Sequence, residues 1–80
     1  MQNYIKGQNL PSNMPTVHVN MWKGLSNEAA QKIIEGITDV FENLGIPRQA
    51  VEVIIHEVPK THWGIGGVPA DKARPDAKSP

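Results

Sequence analysis

The stretch V-E-V-I-I-H-E-V, residues 51–58, determines the fold that this sequence predicts. It is rich in β-branched residues and lies between turn-forming residues, which is typical of a strand. Residues 16–21, T-V-H-V-N-M, predict an earlier strand, because polar and apolar side chains alternate there with a period of two. How the two strands pair depends on the segment that connects them.

The connecting segment predicts one amphipathic helix. Ser26 is a good N-cap, while Gly45 suits the left-handed position after the last turn and Pro47 prevents continuation. Because a long helix separates the strands, we expect a βαβ unit with parallel strands and a right-handed crossover. The apolar residues of the helix recur three or four positions apart: Ala30, Ile33, Ile34, Ile37, Phe41 and Leu44.

The chain after the second strand predicts less regular structure. Residues 61–70, T-H-W-G-I-G-G-V-P-A, are rich in glycine and favour a turn or a short hairpin. Residues 71–80 are charged and contain proline, so we expect a mobile tail. The sequence therefore predicts an α/β protein with a leader or misassigned start at residues 1–14, one domain at 15–70 and a tail at 71–80.

The composition excludes several classes of function. The 80 residues form one domain at most, and there is no cysteine for a disulfide or a thiolate–metal site. Eight Lys plus Arg balance eight Asp plus Glu, which gives no support for a nucleic-acid or membrane partner. No apolar run is long enough to span a bilayer, and the leader lacks the apolar core of a secretory signal. We therefore expect a cytoplasmic protein.

So small a fold also predicts an oligomer. One helix covers only one face of a two-stranded sheet, and Ile54 and Val58 lie on the other face. A chain of this size without a disulfide or metal usually gains the missing burial by association with other copies. We expect a homo-oligomer with an even number of chains.

The three histidines do not predict a metal site. His18 and His56 lie in separate predicted strands and His62 lies in a loop, without the short spacing of zinc ligands. We interpret them as three independent polar residues. The G-I-G-G segment lacks the length and the following helix of a phosphate-binding loop, so we expect neither a metal nor another cofactor.

The dipeptide Met14-Pro15 precedes the first strand and offers a candidate catalytic group. Inside a chain the proline nitrogen is an amide without useful basicity. At an N-terminus it is a secondary amine, and burial in an apolar pocket would lower its pKa toward neutrality. Such an amine can take a proton from a substrate and return it elsewhere. The alternative interpretation is that Pro15 simply begins a strand, where proline is tolerated.

Four segments occur in the order found in a known family: M-P-T-V-H-V, G-L-S-N-E, V-E-V-I-I-H-E-V and H-W-G-I-G-G. From Met14 to about Lys72 the chain resembles the short, 4-oxalocrotonate tautomerase-like branch of the tautomerase superfamily. The resemblance implies a βαβ fold assembled as a hexamer of three dimers, a small-molecule substrate and Pro15 as the catalytic base. It also implies that Trp63 lines the active site, although Trp63 equally suits a subunit interface.

The sequence departs from the family pattern at two positions. Well-studied members hold a dicarboxylate with two arginines, where this chain has Leu25 and Glu52. An apolar group and a carboxylate remove that anion clamp and add repulsion. We therefore expect Leu25, Glu52 and Trp63 to contact a small enol or α-keto acid with at most one carboxylate. Lys23 or Arg48 could supply a cation, but the sequence positions neither of them.

Three functions follow from these observations. The first is a keto–enol tautomerase that is active when Pro15 is the first residue. The second is an oligomer of the same fold without proline catalysis, with a binding or structural role. In the third, Glu52 orients a water molecule for hydration or dehalogenation. When the leader is present, we expect it to stay mobile or to pack Tyr4, Ile5 or Leu10 on a neighbouring chain.

Overall fold

The computed structural model describes residues 14–77 and contains the predicted βαβ unit. The two long strands pair in parallel, with Val17 opposite Val53 and Val19 opposite Ile55. The α/β fold class is therefore confirmed, and the predicted bounds differ from the observed ones by about one residue. The three main elements are β1 (Thr16–Trp22), α1 (Asn27–Asn43) and β2 (Glu52–Val58).

Helix α1 begins and ends at the predicted residues. The Ser26 hydroxyl accepts a hydrogen bond from the Ala29 N–H at 3.0 Å, which satisfies one of the unpaired donors of the first turn. At the other end Gly45 has a φ of +95° and its N–H donates to the Glu42 carbonyl at 2.9 Å. A positive φ strains any residue with a Cβ, so glycine allows the chain to leave the helix here.

A short hairpin follows β2, as the glycine-rich segment predicts. Strands β3 (Gly64–Ile65) and β4 (Val68–Pro69) pair antiparallel. The two residues between them, Gly66 and Gly67, have φ angles of +61° and +84°. Two positive φ angles are what a tight two-residue hairpin turn requires, so the interpretation of G-I-G-G as a turn is confirmed.

Three short helical segments complete the described chain. The 3₁₀ turns Arg48–Ala50 and Lys60–His62 lie on either side of β2. Helix α2 (Ala70–Ala73), which the sequence analysis did not predict, follows the hairpin. Its first residue is fully buried and its N–H donates to the Trp63 carbonyl at 2.7 Å. The mobility expected of residues 71–80 stays a prediction, and the expectations for residues 1–13, including Tyr4, Ile5 and Leu10, lie outside the described residues.

The two faces of the β1–β2 sheet differ in burial. Val17, Val19, Val53 and Ile55 lie on one face and are partly buried, which indicates that α1 covers this side. The opposite face carries His18, Ile54 and His56, all exposed, with Ile54 at 40%.

The buried core of one chain is small. Within residues 14–77 the buried side chains are Ala50, Ala70 and Thr38, so no large apolar side chain is enclosed. A single described chain therefore lacks the core that a stable domain of this size needs. The same range contains no helix that is long and apolar enough to cross a membrane.

Candidate active site

Pro15 lies at the edge of the sheet where both strands begin. It is half-buried and directly precedes β1. Its carbonyl accepts a hydrogen bond from the N–H of Glu52 at 2.9 Å, which extends the parallel ladder by one step beyond β1. The proline ring is thus attached to a backbone that β2 holds in position.

Glu52 is the predicted site residue that lies beside Pro15. It is the first residue of β2 and its register partner is Thr16, which follows Pro15 in the chain. Its side chain is exposed on the uncovered face of the sheet. A carboxylate at this place repels an anionic substrate that approaches Pro15.

Leu25 lies near the opposite edge of the sheet, in the loop between β1 and α1. Its N–H and that of Gly24 both donate to Oε1 of Glu57 on β2, each at 3.0 Å. These bonds, first from Gly24 and then from Leu25, together with the charge of Lys23, hold the pKa of Glu57 below its ordinary value. Glu57 therefore ties the loop that carries Leu25 to the end of the sheet.

Trp63 belongs to an aromatic cluster at the same edge as Leu25. Its ring meets the ring of Trp22 edge to face, with 6.1 Å between the centroids and 79° between the planes. The ammonium of Lys60 lies 4.9 Å from the centroid of Trp22 and donates to the Ala77 carbonyl at 2.5 Å. We call Trp22, Lys60 and Trp63 the aromatic cluster.

The four predicted site residues therefore divide between the two edges of the sheet. Pro15 and Glu52 lie where the strands begin, while Leu25 and Trp63 lie beyond their ends. A seven-residue strand rises about 3.3 Å per residue, so the two pairs are separated by roughly 20 Å. One small-molecule pocket cannot contact both pairs within a single chain.

The two cations that could replace the family's arginines are both engaged elsewhere. Nη1 of Arg48 contacts Asp39 at 2.6 Å and Glu42 at 2.7 Å, and these hydrogen bonds raise the pKa of Arg48. Arg48 is thus paired with the outer surface of α1. Lys23 follows the far end of β1, where its N–H donates to the Val58 carbonyl at 2.9 Å and its charge acts on Glu57.

Two of the three histidines are in contact, so the prediction of three independent histidines is wrong. Nδ1 of His18 and Nε2 of His56 are 3.0 Å apart and form a hydrogen bond. Their rings are stacked with 5.3 Å between the centroids. The register explains the contact, since Asn20 pairs with His56 and places it diagonally across from His18. Residues 14–77 contain no group of three side chains that could hold a metal ion.

Sequence reasoning missed three residues that shape the Leu25 edge: Glu57, Trp22 and Lys60. The role of Glu57 could have been recognised from the sequence, because the alternation of β2 places Glu57 on the same face as Val53 and Ile55. A carboxylate on a half-buried face near a loop commonly accepts backbone hydrogen bonds. For Trp22 and Lys60 no such signal exists, because their contacts join distant parts of the chain.

Comparisons with known proteins agree with this fold. The family described as "Tautomerase enzyme" matches residues 15–73. A 2-hydroxymuconate tautomerase of Comamonas testosteroni is 43% identical over 58 residues, which cover 71% of this chain and 92% of that protein.

Two solved structures are also similar. One comes from the 4-oxalocrotonate tautomerase isozymes of Methylibium petroleiphilum, with a TM-score of 0.68 and 38% identity over 75% of this chain and 98% of that chain. The other belongs to a heterohexamer 4-oxalocrotonate tautomerase from Chloroflexus aurantiacus, with a TM-score of 0.67 and 29% identity over 76% of this chain and the whole of that chain. With the family match spanning most of its length, the chain belongs to the tautomerase family, in the short branch that resembles 4-oxalocrotonate tautomerase.

Proposed function

We propose that this protein is a keto–enol tautomerase in which Pro15, as a free N-terminal residue, is both the general base and the general acid. One observation carries the proposal: Pro15 is the first residue of the family match and directly precedes β1. The hydrogen bond between its carbonyl and the Glu52 N–H supports the same role, because it fixes the residue that would hold the base.

The reaction needs one proton to move between two atoms of the substrate. The secondary amine of Pro15 takes the proton from the enol oxygen and leaves an enolate, whose oxygen electrons form the carbonyl as the C=C electrons move to the carbon atom. The electrons of the C=C bond then take the same proton back from the Pro15 ammonium at the carbon atom. A free α-amino group titrates near pH 8 in water, at about 7.7–8.0, and burial lowers its pKa so that the free base is present at neutral pH.

The complete pocket would contain parts of more than one chain. Because Pro15 and Trp63 lie roughly 20 Å apart in one chain, the Leu25 and Trp63 edge must come from a neighbouring copy. The exposed sheet face around Ile54 is a surface that such a copy would cover. We propose a hexamer of three dimers, in keeping with the hexameric structural relative. Light scattering that found a stable folded monomer would contradict this.

The charges of the site favour a substrate with at most one carboxylate. Glu52 stands beside Pro15, and Leu25 offers only apolar contact where the well-studied members of the family have an arginine. A dianion would meet repulsion without a compensating fork of guanidinium donors. Trp63 favours an aryl substituent, because a flat ring stacks on an indole.

The test compares the full chain with a chain that starts at Pro15, using the enol of phenylpyruvate as substrate. We expect turnover only in the shorter chain, with a group that titrates near neutrality. Mass spectrometry must show that the full chain stays intact during the assay. An intact full chain that is as fast as the shorter one would show that Pro15 is not the base.

A second candidate is an oligomer of this fold with a binding or structural role and no proline catalysis. Leu25 and Glu52 favour it, because both stand where the family's substrate-holding arginines are expected. If the Pro15-start chain turned over no enol, including dicarboxylate and monocarboxylate examples, this second function would replace the first. The cytoplasmic location stays a prediction under either function.

A further inference from the structure

We propose that Lys60 binds the carboxylate of the substrate, so that the site accepts an aryl monocarboxylate with its ring on Trp63 and its anion on Lys60. This inference rests on the proposed function for the location of the site. It assigns the missing cation to a residue that lies outside the two arginine positions of the family.

Different partners engage the three cations Lys23, Arg48 and Lys60. Arg48 is paired with Asp39 and Glu42 on α1, and Lys23 acts on Glu57 at the loop. Lys60 instead begins the 3₁₀ turn that directly precedes Trp63, and its ammonium lies over the ring of Trp22. Among residues 14–77 it is the cation that contacts the aromatic cluster.

Within residues 14–77, the groups that contact the Lys60 ammonium are neutral. Its ammonium contacts a neutral carbonyl at Ala77 and the face of a neutral ring at Trp22, and no carboxylate within residues 14–77 forms an ion pair with it. An ammonium has three N–H donors, so the carbonyl leaves donors for a ligand. Among the residues that the structure describes, no acidic side chain therefore neutralises the positive charge of Lys60.

Trp22 contributes a second donor to the aromatic cluster. The indole N–H of Trp22 is buried and has no hydrogen-bond partner within the described residues. The great majority of buried donors in native structures have a hydrogen-bond partner, so an unpaired donor needs an explanation. Beside Lys60 it gives the cluster more donors than acceptors, which is the composition of a site that receives an anion.

The positions of Lys60 and Trp63 limit the shape of the ligand. Lys60 and Trp63 both contact Trp22, with 4.9 Å from the ammonium to the Trp22 centroid and 6.1 Å between the two ring centroids. A ligand with its ring on Trp63 and its anion on Lys60 holds these two groups at different residues, so we infer a carboxylate that is joined to the ring through a short chain. Arylpyruvates have this arrangement, because two carbon atoms separate the ring from the carboxylate.

The test measures binding to the full 80-residue chain and needs no catalysis. Trp22 and Trp63 are the two tryptophans of the sequence, so quenching of tryptophan fluorescence reports on the aromatic cluster. The probes are phenylpyruvate and its methyl ester, which share a skeleton but differ in charge. We expect the acid to bind about tenfold more tightly than the ester, because a hydrogen bond to a charged group is worth about that factor or more.

The variants separate Lys60 from general electrostatics. K60M should remove the preference for the acid, while K60R should keep it. K72M removes the same charge from helix α2 and should leave the preference unchanged. If K60M does not fold, K60Q makes the same comparison.

Three results would overturn the assignment: equal binding of acid and ester by the unmodified chain, an unchanged preference in K60M, or an equal loss in K72M. Because binding is measured without turnover, an inactive Pro15 would refute the proposed function and leave this result standing. Conversely, a catalytically active chain with an unchanged preference in K60M would refute only the role of Lys60.

Discussion

The two edges of the β1–β2 sheet are organised by different interactions. At the Pro15 edge a backbone hydrogen bond, from the Glu52 N–H to the Pro15 carbonyl, joins the two strands. At the Leu25 edge side chains carry the structure, through the carboxylate of Glu57 and the edge-to-face pair of Trp22 and Trp63.

Because of this difference, the two edges should tolerate different side-chain substitutions. A backbone hydrogen bond does not depend on which side chain is present, so the Pro15 edge accepts a change such as a glutamate at position 52 without loss of geometry. The Leu25 edge depends on particular side chains, so substitutions there change its shape as well as its chemistry. Four changes test this contrast, from the largest expected effect to the smallest.

The largest effect should come from one added residue at the Pro15 edge. In the chain that starts at Pro15, a single glycine added before Pro15 converts the amine to an amide but adds almost no bulk. We expect turnover to fall by about 10²–10⁴, the usual contribution of a general base, with little change in KM. Steady-state kinetics on the enol of phenylpyruvate measures this. A rise in KM at constant turnover would mean that crowding, rather than loss of the base, explains the effect of the leader.

The next effect should come from Trp22 at the Leu25 edge. W22A removes the ring that meets Trp63, and we expect the free energy of unfolding to fall by about 2 kcal/mol, less than for a fully buried tryptophan because Trp22 is half-buried. W22F is the matched control, since it keeps an aromatic edge for Trp63. Thermal unfolding of the three proteins at one concentration measures the effect. Equal stability of W22A and W22F would show that the contact between the two aromatic rings does not stabilise this edge.

Glu57 should make the Leu25 edge sensitive to acid. Because hydrogen bonds hold its folded pKa below the ordinary value of 4.5, its contribution is present above that value and is lost as the pH falls below it. Glutamine keeps the oxygen that accepts both N–H groups but cannot titrate, so E57Q should lack this acid-dependent loss.

The measurement is the melting temperature between pH 3 and pH 7, together with the KM of the same variants in the Pro15-start chain, in the part of that range where the protein is folded. We expect E57A to raise KM by up to about tenfold at neutral pH, because two hydrogen bonds that hold the Leu25 loop are lost. E57Q should stay close to the unmodified chain at that pH. A KM that is identical in E57A would show that the loop is held without Glu57.

The smallest effect should come from the side chain at position 52. In the Pro15-start chain, E52Q removes the carboxylate beside Pro15 but keeps the backbone N–H that donates to the Pro15 carbonyl. We expect KM for a monocarboxylate enol to fall by about threefold, since an exposed charge contributes less than about 1 kcal/mol. KM for the corresponding methyl ester should not change. A fall in KM for both substrates would indicate that E52Q alters the packing of the site and does not act by removing charge repulsion.

The sequence by itself determined the local structure and the family of this protein. The alternation in β1, the spacing of apolar residues in α1, the Ser26 cap and the paired glycines at 66 and 67 all act over a few residues, so their outcome could be predicted. The M-P dipeptide and the H-W-G-I-G-G segment identified the family and Pro15 as the candidate base. Each of these signals depends on neighbours in the chain.

Only the tertiary structure decided how the candidate residues are grouped. The parallel register brings Glu52 beside Pro15 and His18 into contact with His56, and it separates Trp63 from Pro15 by the length of a strand. Glu57 reaches back over more than thirty residues to Gly24 and Leu25. Such contacts depend on how distant segments align after the crossover helix has packed, and residue spacing along the chain does not encode that alignment.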